Sequence, residues 1–212
     1  MDLTSSKLIF LLGQQGVGKT NTIKHLITKN IDKFNFGIVF TGTKFDRTDY
    51  SYIPQEYIIQ GYDENILRNY LKGIEQYIEK YGSAPLNFII LDDLLMLLSR
   101  QDKFFINFLG NMRHYNTVCL YSVQVLRTGI VGLRELTHYA LLFKTNRQDS
   151  LKAIFNEFGT LFDSFDDFKH HFNLVNNQKY TCMLYDRTKN LENNYLRYKS
   201  PDMTLFDVKL NY

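Results

Sequence analysis

The run Lys7-Leu8-Ile9-Phe10-Leu11-Leu12-Gly13-Gln14-Gln15-Gly16-Val17-Gly18-Lys19-Thr20 governs how the rest of the chain is read. Lys7 to Leu12 is nearly all apolar, which suits a short strand buried on both faces. Gly13 to Thr20 has the spacing G-x-x-x-x-G-K-T. Beyond it, Ile23, Leu26 and Ile27 lie at helical spacing in Thr20 to Thr28. Strand, glycine-rich loop and helix in this order make a cradle for phosphate. Glycines let consecutive N–H groups face one anion, and the helix adds its positive end. The candidate nucleotide-binding residues are Gly13, Gln14, Gln15, Gly16, Val17, Gly18, Lys19, Thr20 and Asn21. Within them Lys19 can reach the β- and γ-phosphates, and the Thr20 hydroxyl can ligate Mg²⁺.

Downstream, Phe88-Ile89-Ile90-Leu91 is an apolar strand that ends in Asp92-Asp93. Asp92 is placed to hold Mg²⁺ opposite Thr20, and Asp93 to act as general base on the attacking water. The bland alternative is a helix N-cap, a position that aspartate favours. Val118 to Val123 is a further strand, closed by Gln124. An amide both donates and accepts, so at a strand end beside the nucleotide it can orient water and sense the γ-phosphate.

The remaining pattern alternates in the same way. Strands are expected at Phe36 to Phe40, Tyr139 to Lys144, Lys179 to Tyr185 and Tyr195 to Tyr198. Helices are expected from an Asp63 cap through Lys80, with Ile66, Tyr70, Ile74 and Ile78 on one face, and over Lys103 to Tyr115, Asp149 to Phe158 and Phe165 to Phe172. The fold class is α/β, a mostly parallel central sheet with helices on both faces. Ligands of such sheets bind beyond the carboxyl ends of the strands, where the loop, the acidic pair and Gln124 all fall. One domain over 1–212 is expected, with a core of roughly 5–160 and a C-terminal extension of the same domain over 161–212.

Composition narrows the classes. The chain has 212 residues, 44% of them apolar and 22% charged, which excludes wholesale disorder. Two cysteines, Cys119 and Cys182, and no Cys/His cluster make a disulfide scaffold or structural zinc improbable. The longest apolar stretch is broken by the acidic pair and falls short of a membrane span, so a soluble, intracellular protein without membrane insertion is expected. Thr43-Lys44-Phe45-Asp46 faintly echoes the guanine-reading motif of GTPases, but it precedes the acidic pair instead of following it. Net charge is only +3, whereas residues 113–152 hold six basic and two acidic side chains. This stretch suggests one basic rim facing nucleic acid or a neighbouring subunit. Arg134 and Arg147 are its candidates for an arginine finger acting in trans.

The order of motifs, GQQGVGKT, IILDD, Arg113-His114 before a strand that ends in Gln124, then Leu133-Arg134-Glu135-Leu136, resembles the FtsK/HerA superfamily of P-loop ATPases. The Asp-Asp pair and the Arg-His dipeptide make it most similar to the genome-packaging ATPases of double-jelly-roll DNA viruses. These include poxviruses, other nucleocytoplasmic large DNA viruses and virophages. The resemblance covers roughly residues 5–160. It implies a RecA/FtsK-like core, hydrolysis of ATP with Mg²⁺, and a homo-oligomeric ring, pentamer or hexamer. It also implies sequence-nonspecific translocation of double-stranded DNA into a preformed capsid, with capsid or portal-vertex proteins as partners. The location implied is host cytoplasm, virus factory or virion. By motif position Lys19 and Thr20 take the phosphate and metal roles, Asp92 the metal, Asp93 the catalytic acid–base role and Gln124 the sensor. Two other classes stay open on the residues alone. One is a small-molecule kinase with an arginine-rich lid, and the other is an NTP-gated binding module. A non-viral DNA translocase of the same superfamily is a further reading.

Overall fold

The computed structural model describes residues 1–42, 47–94, 103–126, 133–159, 161–189 and 195–203, without the side chains of residues 47, 48, 133 and 134. The chain begins with β1 (Lys7–Leu12), α1 (Lys19–Lys29), β2 (Phe36–Thr41) and β3 (Ile58–Gln60). It continues through α2 (Glu64–Tyr81), β4 (Asn87–Asp92), α3 (Lys103–Asn111), β5 (Thr117–Val123), α4 (Leu133–Leu136) and β6 (Tyr139–Phe143). It ends with α5 (Gln148–Phe158), α6 (Phe165–Val175), β7 (Thr181–Asp186) and β8 (Tyr195–Lys199).

The strands form one eight-stranded sheet in the order β3-β2-β4-β5-β1-β6-β7-β8. β3 through β6 in that order run parallel, and β7 and β8 join antiparallel at one edge. β5 therefore lies between β1 and β4. The phosphate loop, the acidic pair and Gln124 leave three adjacent strands at the same end.

Alternation along β1 explains why its run is apolar throughout. Leu8, Phe10 and Leu12 enter one core layer, and Ile9 and Leu11 the other. The first layer is covered by α2, α3, α5 and α6 through side chains such as Leu71, Phe108, Ile154 and Phe172. The second is covered by α1, through Ile23, Leu26 and Ile27, and by Tyr50, Tyr52 and Ile53 from the β2–β3 connection. Helices thus occupy both faces, unequally.

Local signals account for the borders. The Asp63 side chain accepts from the N–H groups of Asn65 and Ile66 and starts α2, and Gly82 ends it at φ 81°. The buried stripe of α2 is Leu67, Leu71 and Ile74, with Ile66, Tyr70 and Ile78 on its flank. That face is rotated slightly from the one expected. α3 ends at Asn111 and not at Tyr115. His114 and Asn116 close turns onto Asn111 and Arg113, and Asn116 adopts φ 46° before β5 begins. Arg113 and His114 therefore sit in a turn rather than in the last turn of a helix. β3 was not foreseen, since three residues are too few to show a period. Cys119 and Cys182 are buried and unpaired on β5 and β7.

Candidate active site

The phosphate loop is wedged between neighbours that admit little bulk. The Gly13 N–H donates to the carbonyl of Val123 at 3.2 Å. A Cβ on Gly13 would lie 2.6 Å from that of Phe143 on β6. Gly18 precedes α1 at φ 102°, a left-handed backbone suited to glycine, with the Tyr180 ring packed against it. Lys19 is buried, and its Nζ donates to the Gly13 and Gln14 carbonyls at 2.6 and 3.0 Å. Burial pulls the ammonium below its usual pKa, and the charges of Asp92 and Asp93 oppose that shift.

The acidic pair divides in two directions. Asp92 Oδ2 accepts from the Thr20 hydroxyl at 3.0 Å and from the Tyr50 hydroxyl at 2.7 Å. Asp93 turns away at φ 57°, and Gln124 Nε2 lies 2.8 and 2.7 Å from its two carboxylate oxygens. Thr20 with Asp92, and Asp93 with Gln124, are thus brought together in pairs. Oxygen donors of the Thr20 and Asp92 type suit a hard cation such as Mg²⁺.

Beside them lies a cleft of about 320 Å³. Gln15, Gly16 and Gly18–Asn21 line one side, and Asp49, Asp92, Asp93 and Gln124 the other. Gly13, Gln14 and Val17 are not part of the lining. The Asn21 amide on the rim is already engaged: it donates to Ser200 Oγ at 3.1 Å and to the Pro201 carbonyl at 2.8 Å. Its oxygen accepts the Met203 N–H at 2.7 Å. The segment after β8 is therefore fastened to the first turn of α1.

Three contributors had no visible signal. Tyr50 lies 42 residues from the carboxylate it touches. Burial, and then the Asp92 charge, push its phenol well above its usual pKa. Gly42 directly follows β2 and belongs to no motif. Its N–H donates to the Asp92 carbonyl at 2.9 Å, and a Cβ there would stand 2.4 Å from the Asp93 carbonyl oxygen. Asp49 belongs to no motif.

The basic stretch does not form one rim. Arg147 is exposed beyond β6, at the nucleotide end of the sheet, where it precedes α5. Arg113 is at the opposite end, on a separate cleft of about 460 Å³ shared with Arg187, Glu135 and His138. The charge is split because Arg113 precedes β5 and Arg147 follows β6, two parallel strands. The backbone of Arg134 falls in α4, before β6 and so toward that second cleft, and its side chain lies outside the described residues. Residues 43–46, which carry the guanine-like motif, also lie outside them. Among the described residues no helix is long and apolar enough to cross a membrane.

The chain is 24% identical over 211 residues to the uncharacterized protein 075L of Invertebrate iridescent virus 6, covering 95% of this chain and 80% of that one. Its fold is similar to the genome packaging NTPase B204 of Sulfolobus turreted icosahedral virus 2, solved with AMPPCP. The TM-score is 0.65 at 14% identity, covering 93% of this chain and 98% of that chain. It is also similar to the cytoplasmic domain of the type VII secretion ATPase EccC of Thermomonospora curvata. There the TM-score is 0.63 at 17% identity, covering 91% of this chain and 25% of that chain. The profile of the family described as Poxvirus A32 protein matches residues 3–150. With a phosphate loop, an acidic pair and a strand-end glutamine around one cleft, the chain belongs to the poxvirus A32 family and is a viral P-loop ATPase.

Proposed function

We propose that this ATPase is the motor of a viral genome-packaging machine, driving double-stranded DNA into a preformed capsid. The observation that carries the reading is the likeness to the packaging NTPase B204 over 93% of this chain and 98% of that one. In this reading identical subunits form a ring, capsid or portal-vertex proteins are the docking partners, and DNA is gripped without regard to sequence.

The chemistry assigned to the cleft follows from its donors. Lys19 leaves the Gly13 and Gln14 carbonyls when ATP arrives and moves onto the β- and γ-phosphates. Thr20 and Asp92 would hold Mg²⁺, which would supply positive charge against the phosphates. Asp93 takes the proton of the attacking water, and Gln124 orients that water. Gln124 is bound to both oxygens of Asp93, so it must release them for either residue to act. Asn21 serves through the C-terminal segment it holds. A kinase would need an arginine-rich lid over the phosphates, yet no arginine is among the described residues that line the cleft.

The test is the ATPase rate with and without double-stranded DNA, alongside mass by light scattering. Stimulation by DNA together with a ring-sized mass is the expected result. Rapid hydrolysis indifferent to DNA, or transfer of phosphate to an added nucleoside, would overturn the motor reading.

A further inference from the structure

The β2–β3 connection supplies Asp49 to the cleft lining and also supports the site from behind. It passes through a short 3₁₀ turn, Arg47–Tyr50, and brings two tyrosines under the acidic pair. Tyr50 is 1% exposed and Tyr52 2% exposed, with ring centroids 6.1 Å apart. Their hydroxyls differ sharply. That of Tyr50 donates to Asp92 Oδ2 at 2.7 Å. That of Tyr52 is buried with no hydrogen-bond partner among the described residues.

We propose that Tyr50 is a positioning residue that sets the Mg²⁺ requirement of the ATPase by fixing the Asp92 carboxylate. The proposal rests on Thr20 and Asp92 being the metal side of the site. Oδ2 of Asp92 receives two hydroxyl protons, from Tyr50 and Thr20, as many as its two lone pairs accept. The carboxylate plane is thereby set, and Oδ1 is the oxygen without a protein donor among the described residues. The Thr20 proton is committed to Asp92, so the lone pairs of its hydroxyl are the part that can face a cation. Among the described residues Tyr50 is not part of the cleft lining, and its hydroxyl meets the site at Asp92. Partners that orient a metal-binding carboxylate commonly change metal affinity or activity by about 10- to 100-fold.

The neighbouring tyrosine supplies the control. Tyr50→Phe removes a hydroxyl that holds Asp92, and Tyr52→Phe removes one without a hydrogen-bond partner among the described residues, each leaving the ring in place. The full chain is titrated with Mg²⁺ in the presence of a fluorescent ADP analogue, and the ATPase rate is followed against Mg²⁺ concentration. Tyr50→Phe is expected to raise the half-saturating Mg²⁺ about tenfold in both titrations, the lower end of the range for such partners. Its affinity for the analogue in EDTA should match wild type, and Tyr52→Phe should match wild type throughout. An unchanged Mg²⁺ dependence in Tyr50→Phe would overturn the proposal. So would an equal shift in both variants, or a parallel loss of affinity in EDTA, since either marks lost packing. If wild type itself binds and turns over without regard to Mg²⁺, the metal-side reading fails and the role of Tyr50 fails with it.

Discussion

Asp92 and Asp93 are chemically identical neighbours with different surroundings, and the difference is set by one backbone angle. Asp93 at φ 57° sends its side chain to Gln124, whereas Asp92 continues β4 and meets Thr20 and Tyr50. Asp93→Asn is expected to retain ATP binding while turnover falls about 100-fold or more, as loss of a general base implies. Filter binding beside a phosphate-release assay separates the two. Gly42 guards the same geometry. An added methyl group would press on the Asp93 carbonyl, and backbone cannot yield as a flexible side chain does. Gly42→Ala is therefore expected to cost about 1–3 kcal/mol in a denaturant titration, the range for overpacking, and to lower turnover as well. Preserved stability and turnover would show that the strand end shifts freely.

The sheet is tied at its other end by a histidine. The His138 N–H donates to the Leu8 carbonyl at 2.9 Å, and its Nδ1 accepts the Leu8 N–H at 3.1 Å. One residue thus links the start of β6 to β1. Burial lowers the pKa of its imidazole, and the charges of Lys7, Arg113 and Arg187 push the same way. The unfolded chain therefore takes up a proton more readily than the folded one. Stability falls as pH drops below the ordinary histidine value of about 6.5, down through the folded value. Protonation of Nδ1 would also remove the acceptor for Leu8. The melting temperature of wild type should decline more steeply on acidification than that of His138→Gln. His25 is shifted in the same direction, and its effect is common to both proteins. Identical acid limbs would remove His138 from the account.

In the proposed ring, an arginine acting in trans would have to point away from its own cleft. Arg147 meets that geometric requirement, being exposed at the nucleotide end and absent from the cleft lining. If it serves a neighbour, Arg147→Ala should keep ATP binding and lose turnover. Mixed with Lys19→Ala subunits, it should recover part of it, because some interfaces then pair an intact cleft with an intact arginine. No recovery in mixtures that co-assemble by light scattering would rule Arg147 out. The second cleft, with Arg113 and Arg187, lies at the opposite end of the sheet, where Glu135 is 3.3 Å from Arg187 and neutralises part of its charge.

Much of this was open to reading in order along the chain. The apolar runs of β1, β4 and β5, the Asp63 cap and the G-x-x-x-x-G-K-T spacing are local, so the residues that define them are neighbours in sequence. From them follow the alternation of strands and helices and the cluster at the strand ends. The pairing partners had no such mark. That β5 separates β1 from β4, and so sets Gln124 beside Asp93, is a matter of strand order, which hydrophobic patterns do not encode. Tyr50 under Asp92, Gly42 against Asp93 and Asn21 clasping Ser200 join residues distant in sequence by single close contacts without periodicity. The basic stretch misled for the same reason: a continuous run of charge is divided when parallel strands deliver their beginnings and ends to opposite sides of the sheet. Local chemistry names the groups, and chain packing chooses their partners.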